Sequence, residues 1–345
     1  MISFYILLIL PKDKSNVKGE NLMQSIIANK LSSNDEIRVL SPSTALQRVN
    51  SSADNKETEH YFEQLGYQIT YSDHIDEMDT MLSSSIHSRV EDLHKAFNDP
   101  NVKAILTSIG GYNSNELLPY LDYDLIQANP KILCGYSDIT ALQNAIFAKT
   151  GLVSYSGPAY SSFKMKELQD YQTSQWLTAL QNTSYILHPS EFWSSDLWFL
   201  PDHPRNLQAN KWGVYSEGEA EGVSIGGNLS TFNLLQGTDY MPQIDQPILF
   251  IESAEQNNAY DFARNLASLL QVYQQPKAVL IGRFPNESNT TIEELFYILD
   301  KHPILKKIAV MYNVNFGHAQ PIFTFPIGGK VKVDTSIKYI EVIEG

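Results

Sequence analysis

The sequence predicts an α/β protein in which a parallel sheet covered by helices is followed by a stretch richer in short strands. Three observations predict it. Apolar runs alternate with helix-like spacing from about residue 36 to 160, the pattern of a parallel sheet with helices on both faces. Glycines and hydroxyl residues follow the third and fourth of those runs, at the strand ends where such sheets bind ligands. After Lys211 the spacing shortens into strands and turns. The chain divides accordingly into residues 1–35 as an N-terminal extension, 36–160 as the parallel-sheet domain, 161–210 as a connecting segment and 211–345 as the β-rich domain.

Each element rests on its own signal. Phe4 to Leu10 is apolar but too short to span a bilayer. It lacks the basic flank and small-residue cleavage site of a signal peptide. Either translation starts at Met23 and this segment lies upstream of the protein, or it is an element that packs on the body. Glu36–Ser43 reads as a first strand ending in a polar turn. Glu57–Gly66 is a helix stopped by glycine, and Tyr67–Tyr71 alternates as a second strand. Val90, Leu93, His94 and Phe97 have helical spacing within Ser88–Asn98, which Asp99-Pro100 ends. Val102–Ile109 is a third strand, followed by Gly110-Gly111, and Asn115–Leu121 is a short helix. Pro130–Cys134 is a fourth strand, Asp138–Lys149 its helix, and Leu152–Pro158 a fifth strand. From Ser161 to about Asn210, prolines and polar residues suit an interdomain connection. Trp176, Trp193 and Trp198 fall here, either as packing residues or as a stacking platform. Beyond it, Gln246–Glu252, Ala278–Gly282 and Ile308–Tyr312 read as strands. Ala259–Tyr273 and Ile292–Asp300 read as helices, and Lys330–Glu341 resembles a closing hairpin.

Composition narrows the function classes. In 345 residues, 39 acids stand against 25 bases for a net charge of −14, which disfavours binding to a phosphate backbone. No run is apolar enough for a membrane helix. The single cysteine, Cys134, excludes an internal disulfide and suits a reducing, cytoplasmic setting. There is no Walker-type phosphate loop, no His-Glu-x-x-His and no cysteine pair. Neither a nucleotide-phosphate loop nor a zinc site is supported, and the expectation is no metal and no cofactor.

The chemistry-bearing candidates lie at strand ends. Ser137 follows the run Ile132–Gly135 and precedes a helix. That strand–turn–helix setting lifts a serine out as a nucleophile, and equally suits a helix-capping serine. A serine nucleophile needs a base held by a third group. Of eight histidines, His60, His74, His87 and His94 read as surface or capping residues, and His188, His203 and His302 lie in polar loops near prolines. His318 stands apart, following Gly317 just after a strand. Glu252 ends the most apolar strand of the second half, either as the first exposed residue or as a carboxylate with a task. Gly110-Gly111 offers backbone N–H groups to an oxyanion, or simply a turn. Cys134 is a second candidate nucleophile or a small buried residue in a strand. A non-catalytic peptide binder with a cleft between two domains is the other class left open.

Several blocks recur in one order: Ile109-Gly110-Gly111-Tyr112-Asn113-Ser114-Asn115, Leu117–Asp122, Asn129-Pro130-Lys131, Gly135-Tyr136-Ser137-Asp138-Ile139-Thr140-Ala141-Leu142, Gly157-Pro158, Gly226-Gly227-Asn228-Leu229, Leu249-Phe250-Ile251-Glu252, and Gly317-His318 with Pro321. In this the chain resembles the LD-carboxypeptidase family of serine peptidases, which includes the microcin C self-immunity proteins. The resemblance runs from about Ile37 to the C-terminus. It implies a Rossmann-like N-terminal domain, a smaller β-rich C-terminal domain carrying Glu252 and His318, a homodimer, and no metal or cofactor. It implies Ser137 as nucleophile, His318 as base, Glu252 as its orienter, and the Gly111 and Asp138 N–H groups as oxyanion hole. Within the family the substrate is a peptidyl-nucleotide antibiotic of the microcin C type or a murein tetrapeptide. The tryptophans tilt the reading to the first, with Asn228, Trp193 and Trp198 as candidate substrate contacts.

Overall fold

In the computed structural model, residues 25–49, 52–197 and 204–345 are described. The apolar run at Phe4–Leu10, the question of Met23, Trp198 and His203 lie outside them. Residues 25–35 pack on the body: Ile26 bridges Leu152, and Ala28 and Leu31 are buried in the core.

The first sheet is built from β1 (Glu36–Leu40), β2 (Gln68–Tyr71), β3 (Val102–Thr107), β4 (Ile132–Gly135) and β5 (Ser154–Ser156). All five are parallel, in the order β5-β4-β3-β1-β2. β4 is buried along its whole length and β3 at every residue but Lys103, as expected of strands covered on both faces. The covering helices are α1 (Ser52–Gln64), α2 (Ile86–Asn98), α3 (Tyr123–Ala128) and α4 (Thr140–Thr150). Ser85 caps α2 and Asp122 caps α3. The short helix predicted near Asn115 is a 3-10 turn over Ser114–Tyr120, with Pro119 inside it.

The connecting segment holds more structure than expected. It forms α5 (Gln169–Gln181), β6 (Tyr185–Leu187), β7 (Phe192–Trp193) and β8 (Gln208–Ala209). α5 escapes the sequence reading because its buried face includes Gln169, Gln172 and Gln175 beside Trp176, which dilutes the apolar period. Trp176 packs edge-on against Phe62 of α1 and against Phe163 of its own segment.

The second sheet has eight strands. Its remaining members are β9 (Gly213–Ser216), β10 (Glu219–Asn228), β11 (Ile248–Glu252), β12 (Ala278–Gly282), β13 (Ala309–Val314), β15 (Lys330–Asp334) and β16 (Tyr339–Glu344), with β14 (Phe325–Ile327) leaving for the first sheet. The order is β6-β16-β15-β10-β11-β12-β13-β9. The middle strands β10 to β13 are parallel and β11 and β12 wholly buried; the flanking pairs are antiparallel. β15 and β16 form the expected hairpin. α6 (Leu229–Asn233), α7 (Ala259–Val272) and α8 (Ile292–Asp300) complete it, the last two with capping boxes from Asn258/Asp261 and Thr291/Glu294. β14 pairs antiparallel with β5, and β6 pairs with β16, so each sheet takes an edge strand from outside its own segment. Among the described residues no helix is long and apolar enough to cross a membrane.

Candidate active site

The carboxyl ends of the parallel strands β4 and β11 face each other, and α4 joins the two sheets. Asn144 of α4 donates to the Gly226 carbonyl (2.8 Å) and accepts from its N–H (3.2 Å). Thr140 Oγ1 accepts from the Asn228 N–H (3.0 Å). Asn228 pairs in register with Glu252 on the neighbouring strand. The helix that starts beside Ser137 is therefore bonded to the strand next to the one that ends in Glu252.

Ser137 sits at the turn between β4 and α4 with φ +64°, a left-handed conformation that costs a non-glycine residue about 1–3 kcal/mol. The turn throws its hydroxyl clear of both elements. Gly110 permits the crowding there: a Cβ on it would lie 2.9 Å from Ser137 Cβ and 3.0 Å from Ser137 Oγ.

Glu252 is 2 % exposed. His318 reaches it from the loop after β13, where Gly317 has φ +98° and a Cβ would collide with the Glu252 side chain at 2.8 Å. His318 Nδ1 lies 2.8 Å from Glu252 Oε2, and His318 Nε2 lies 3.0 Å from Ser137 Oγ. A carboxylate only accepts, so Nδ1 carries the proton and donates it, and Nε2 is left to accept from the serine hydroxyl. Burial alone would push the imidazole down. The Glu252 charge and hydrogen bond, with Glu255 beyond, outweigh it and hold the pKa above its ordinary value of 6.5. The Tyr136 ring packs 5.4 Å from the imidazole. Burial pushes its phenol up to about 12, so it stays neutral.

The loop with Gly110-Gly111 is tied to the serine turn by Asp138. Its buried Oδ2 accepts from Ser43 Oγ (2.6 Å) and the Ser114 N–H (2.8 Å), and its carbonyl accepts from Ser114 Oγ (2.7 Å). Arg89 clamps the same loops from α2. Its Nη1 donates to the carbonyls of Pro42 and Asn113 and to Asn113 Oδ1, and its Nη2 pairs with Glu116 at 2.8 Å.

Asn315 holds the histidine loop. Its Nδ2 donates to the Pro321 carbonyl and Ser190 Oγ, and its Oδ1 accepts from Trp212 Nε1 and Asn210 Nδ2. Arg89 and Asn315 were not found in the sequence; neither has a local signal, since each earns its role only through contacts distant in the chain.

The remaining candidates fall as follows. Asn228 caps α6, with its Oδ1 accepting from Ser230 Oγ and from the Thr231 N–H and hydroxyl. Trp193 is enclosed rather than open: it is 7 % exposed, with the Arg283 guanidinium 4.3 Å from its ring centroid. Trp198 lies outside the described residues. Cys134 is buried in β4, and burial pushes its thiol up to about 12. At neutral pH it is a protonated core residue, which argues against the cysteine reading. His94 accepts from the Asp122 N–H at the start of α3, whereas His60 and His87 are exposed. Among the described residues no group of three or more His, Cys, Asp or Glu side chains is arranged to hold a metal ion.

Comparison with known proteins agrees with this architecture. Residues 37–157 match the LD-carboxypeptidase N-terminal domain, and residues 221–333 match the LD-carboxypeptidase C-terminal domain. The chain is 47 % identical over 311 residues to YocD of Bacillus subtilis (strain 168), named as a carboxypeptidase, covering 89 % of this chain and 95 % of that one. It is 28 % identical over 287 residues to a protein of the same organism named as a murein peptide carboxypeptidase, covering 81 % and 83 %. The crystal structure of an MccF-like protein from Bacillus anthracis str. Ames superposes with a TM-score of 0.90 at 46 % identity, covering 93 % of this chain and all of that one. The microcin C7 self-immunity protein MccF in complex with aspartyl sulfamoyl adenosine superposes with a TM-score of 0.83 at 30 % identity, covering 93 % and 99 %. With both domain models matched in order and a relative this similar over nearly its whole length, the chain belongs to the LD-carboxypeptidase family, the S66 family of serine-type carboxypeptidases.

Proposed function

We propose that this protein hydrolyses an amide bond through Ser137, His318 and Glu252. The observation that carries the reading is the unbroken hydrogen-bond chain from Ser137 Oγ through His318 to Glu252, assembled from both sheets. His318 Nε2 removes the Ser137 proton as Oγ attacks the carbonyl carbon. Glu252 stabilises the imidazolium that forms and keeps the ring in the accepting tautomer. The N–H groups of Gly111 and Asp138 receive the oxyanion; one such donor is worth roughly 10²–10³-fold in rate. His318 then protonates the leaving amine. Water, activated by the same imidazole, cleaves the acyl-serine and restores the hydroxyl.

For the substrate we propose a peptidyl- or aminoacyl-nucleotide amide of the microcin C type. The support is the likeness to MccF, solved with aspartyl sulfamoyl adenosine. Asn228, whose Oδ1 is engaged in the cap, would offer its amide N–H to the substrate. With Trp193 enclosed under Arg283, Trp198 is the proposed stacking residue for the base. The second reading is a murein tetrapeptide carboxypeptidase, favoured by the relative named as a murein peptide carboxypeptidase. The family resemblance further suggests a cytoplasmic homodimer, which light scattering of the purified chain tests.

The deciding assay offers two substrates side by side, an aspartyl-adenylate amide analogue and a tetrapeptide ending in D-Ala. Cleavage of the first at least as well as the second is expected. Trp198→Ala should lower activity on the nucleotide substrate by roughly ten- to hundredfold and spare the tetrapeptide, since base–aromatic stacking is worth about 1–3 kcal/mol. Cleavage of the tetrapeptide alone would leave the murein reading. Binding without turnover of either would favour the non-catalytic binder.

A further inference from the structure

The second sheet ends at a buried cation that has no counter-charge among the described residues. Arg283 directly follows β12 and is 8 % exposed. Its Nη2 donates to Asn210 Oδ1 (2.6 Å) and the Lys211 carbonyl (3.3 Å), both neutral. Among the described residues nothing accepts from Nη1, and the enclosed Nε has no acceptor. Arg89, also buried, pairs with Glu116 at 2.8 Å, and the half-buried Arg205 feels the charges of Glu167 and Asp196. At Arg283 only burial acts, lowering the guanidinium to about 10, so it remains a cation at neutral pH. Removing such a charge from water without an opposite charge is strongly unfavourable.

Its location gives the charge a use. Ile251 pairs with Ile281, so Glu252 and Gly282 end their strands side by side and Arg283 is the next residue along. The guanidinium lies on the Trp193 ring. The following residue, Ser194, exchanges two backbone hydrogen bonds of 2.8 Å with Gln320, two residues after His318. The Asn286 N–H donates to Ser195 Oγ (3.1 Å). Arg283 therefore underlies the segment stitched to the histidine loop.

We propose that Arg283 is the docking point for an oxyanionic group of the substrate, a carboxylate or phosphoryl, with Trp193 holding the guanidinium plane in place. With Nη2 engaged and Nε enclosed, Nη1 is the nitrogen that meets either group, through a charge-assisted N–H···O bond. The proposal deepens the reading of the Ser137 site as a peptidase site by giving its substrate an anionic anchor. Its source is either the terminal carboxylate of a peptide or the phosphoryl of a nucleotide.

The test is calorimetric binding to the full chain carrying Ser137→Ala, which needs no turnover. Two ligand pairs differ only in the charge: the D-Ala-terminated tetrapeptide against its C-terminal amide, and adenosine monophosphate against adenosine. The charged member of one pair should bind roughly ten- to hundredfold more tightly, and the pair that responds identifies the source. Adding Arg283→Gln should bring that ratio near one and leave the uncharged ligand's affinity unchanged; Arg283→Lys should recover part of it. A ratio that survives Arg283→Gln, an equal loss for both members of the pair, or no preference for charge in either pair would overturn the proposal. Labelling of wild-type Ser137 by a fluorophosphonate is scored separately. Charge-dependent binding without labelling would overturn the peptidase reading and leave the anchor standing.

Discussion

Ser137 holds a left-handed backbone while presenting its hydroxyl to His318, so strain and chemistry meet in one residue. Replacing it by glycine removes both. Ser137→Gly should be inactive yet more stable than wild type by about 1 kcal/mol, because glycine adopts that φ without penalty. Denaturant unfolding of the two proteins measures it. His318 makes a second residue-scale test. Its pKa is raised, and only the neutral ring can act as base, so kcat/KM should fall on the acid side with an apparent pKa above 6.5. In Glu252→Gln the charge of its hydrogen-bond partner is gone while burial and Glu255 remain, so the acid limb should move to lower pH than in the wild type. The rate should also drop by about 10⁴-fold, as when the orienting carboxylate of a serine triad is neutralised. A pH–rate profile of both proteins checks the direction.

At the scale of elements, the site depends on how loops are tied at the strand ends. The loops after β1 and β3 meet at Asp138 and at Arg89. Arg89→Met leaves those carbonyls unpaired and should cost about 2 kcal/mol of stability. It should also lower kcat by roughly ten- to hundredfold, with KM little changed, as the loop bearing Gly111 loosens. Chemical denaturation and steady-state kinetics separate the two effects. Much at this scale was legible in the sequence. β12 and α8 fall at their expected bounds, because a fully buried parallel strand reads as an unbroken apolar run and an amphipathic helix as a clear period. The glutamine-lined face of α5 was not legible, since nothing local says that a glutamine will be buried. The exchange of β14 and β6 between sheets was hidden for a related reason: strand pairing is set by partners far away in sequence.

Across the whole molecule, the two sheets contribute different parts of one constellation. The first supplies the serine turn and the Gly110-Gly111 loop; the second supplies Glu252 and His318. Ser137, Glu252 and His318 stood out in the sequence because each follows or ends an apolar strand, where side chains converge on a cleft. Arg283 and Asn315 did not, because a buried polar residue is recognised only by what surrounds it. In the proposed mechanism Ser137 carries a covalent acyl group during amide cleavage. Quenching the reaction with the better of the two amide substrates and locating the adduct by peptide mass spectrometry detects it. A mass increase equal to the acyl group is expected on Ser137 and absent in Ser137→Ala, which should no longer turn over. An adduct on Cys134, or wild-type turnover by Ser137→Ala, would contradict it.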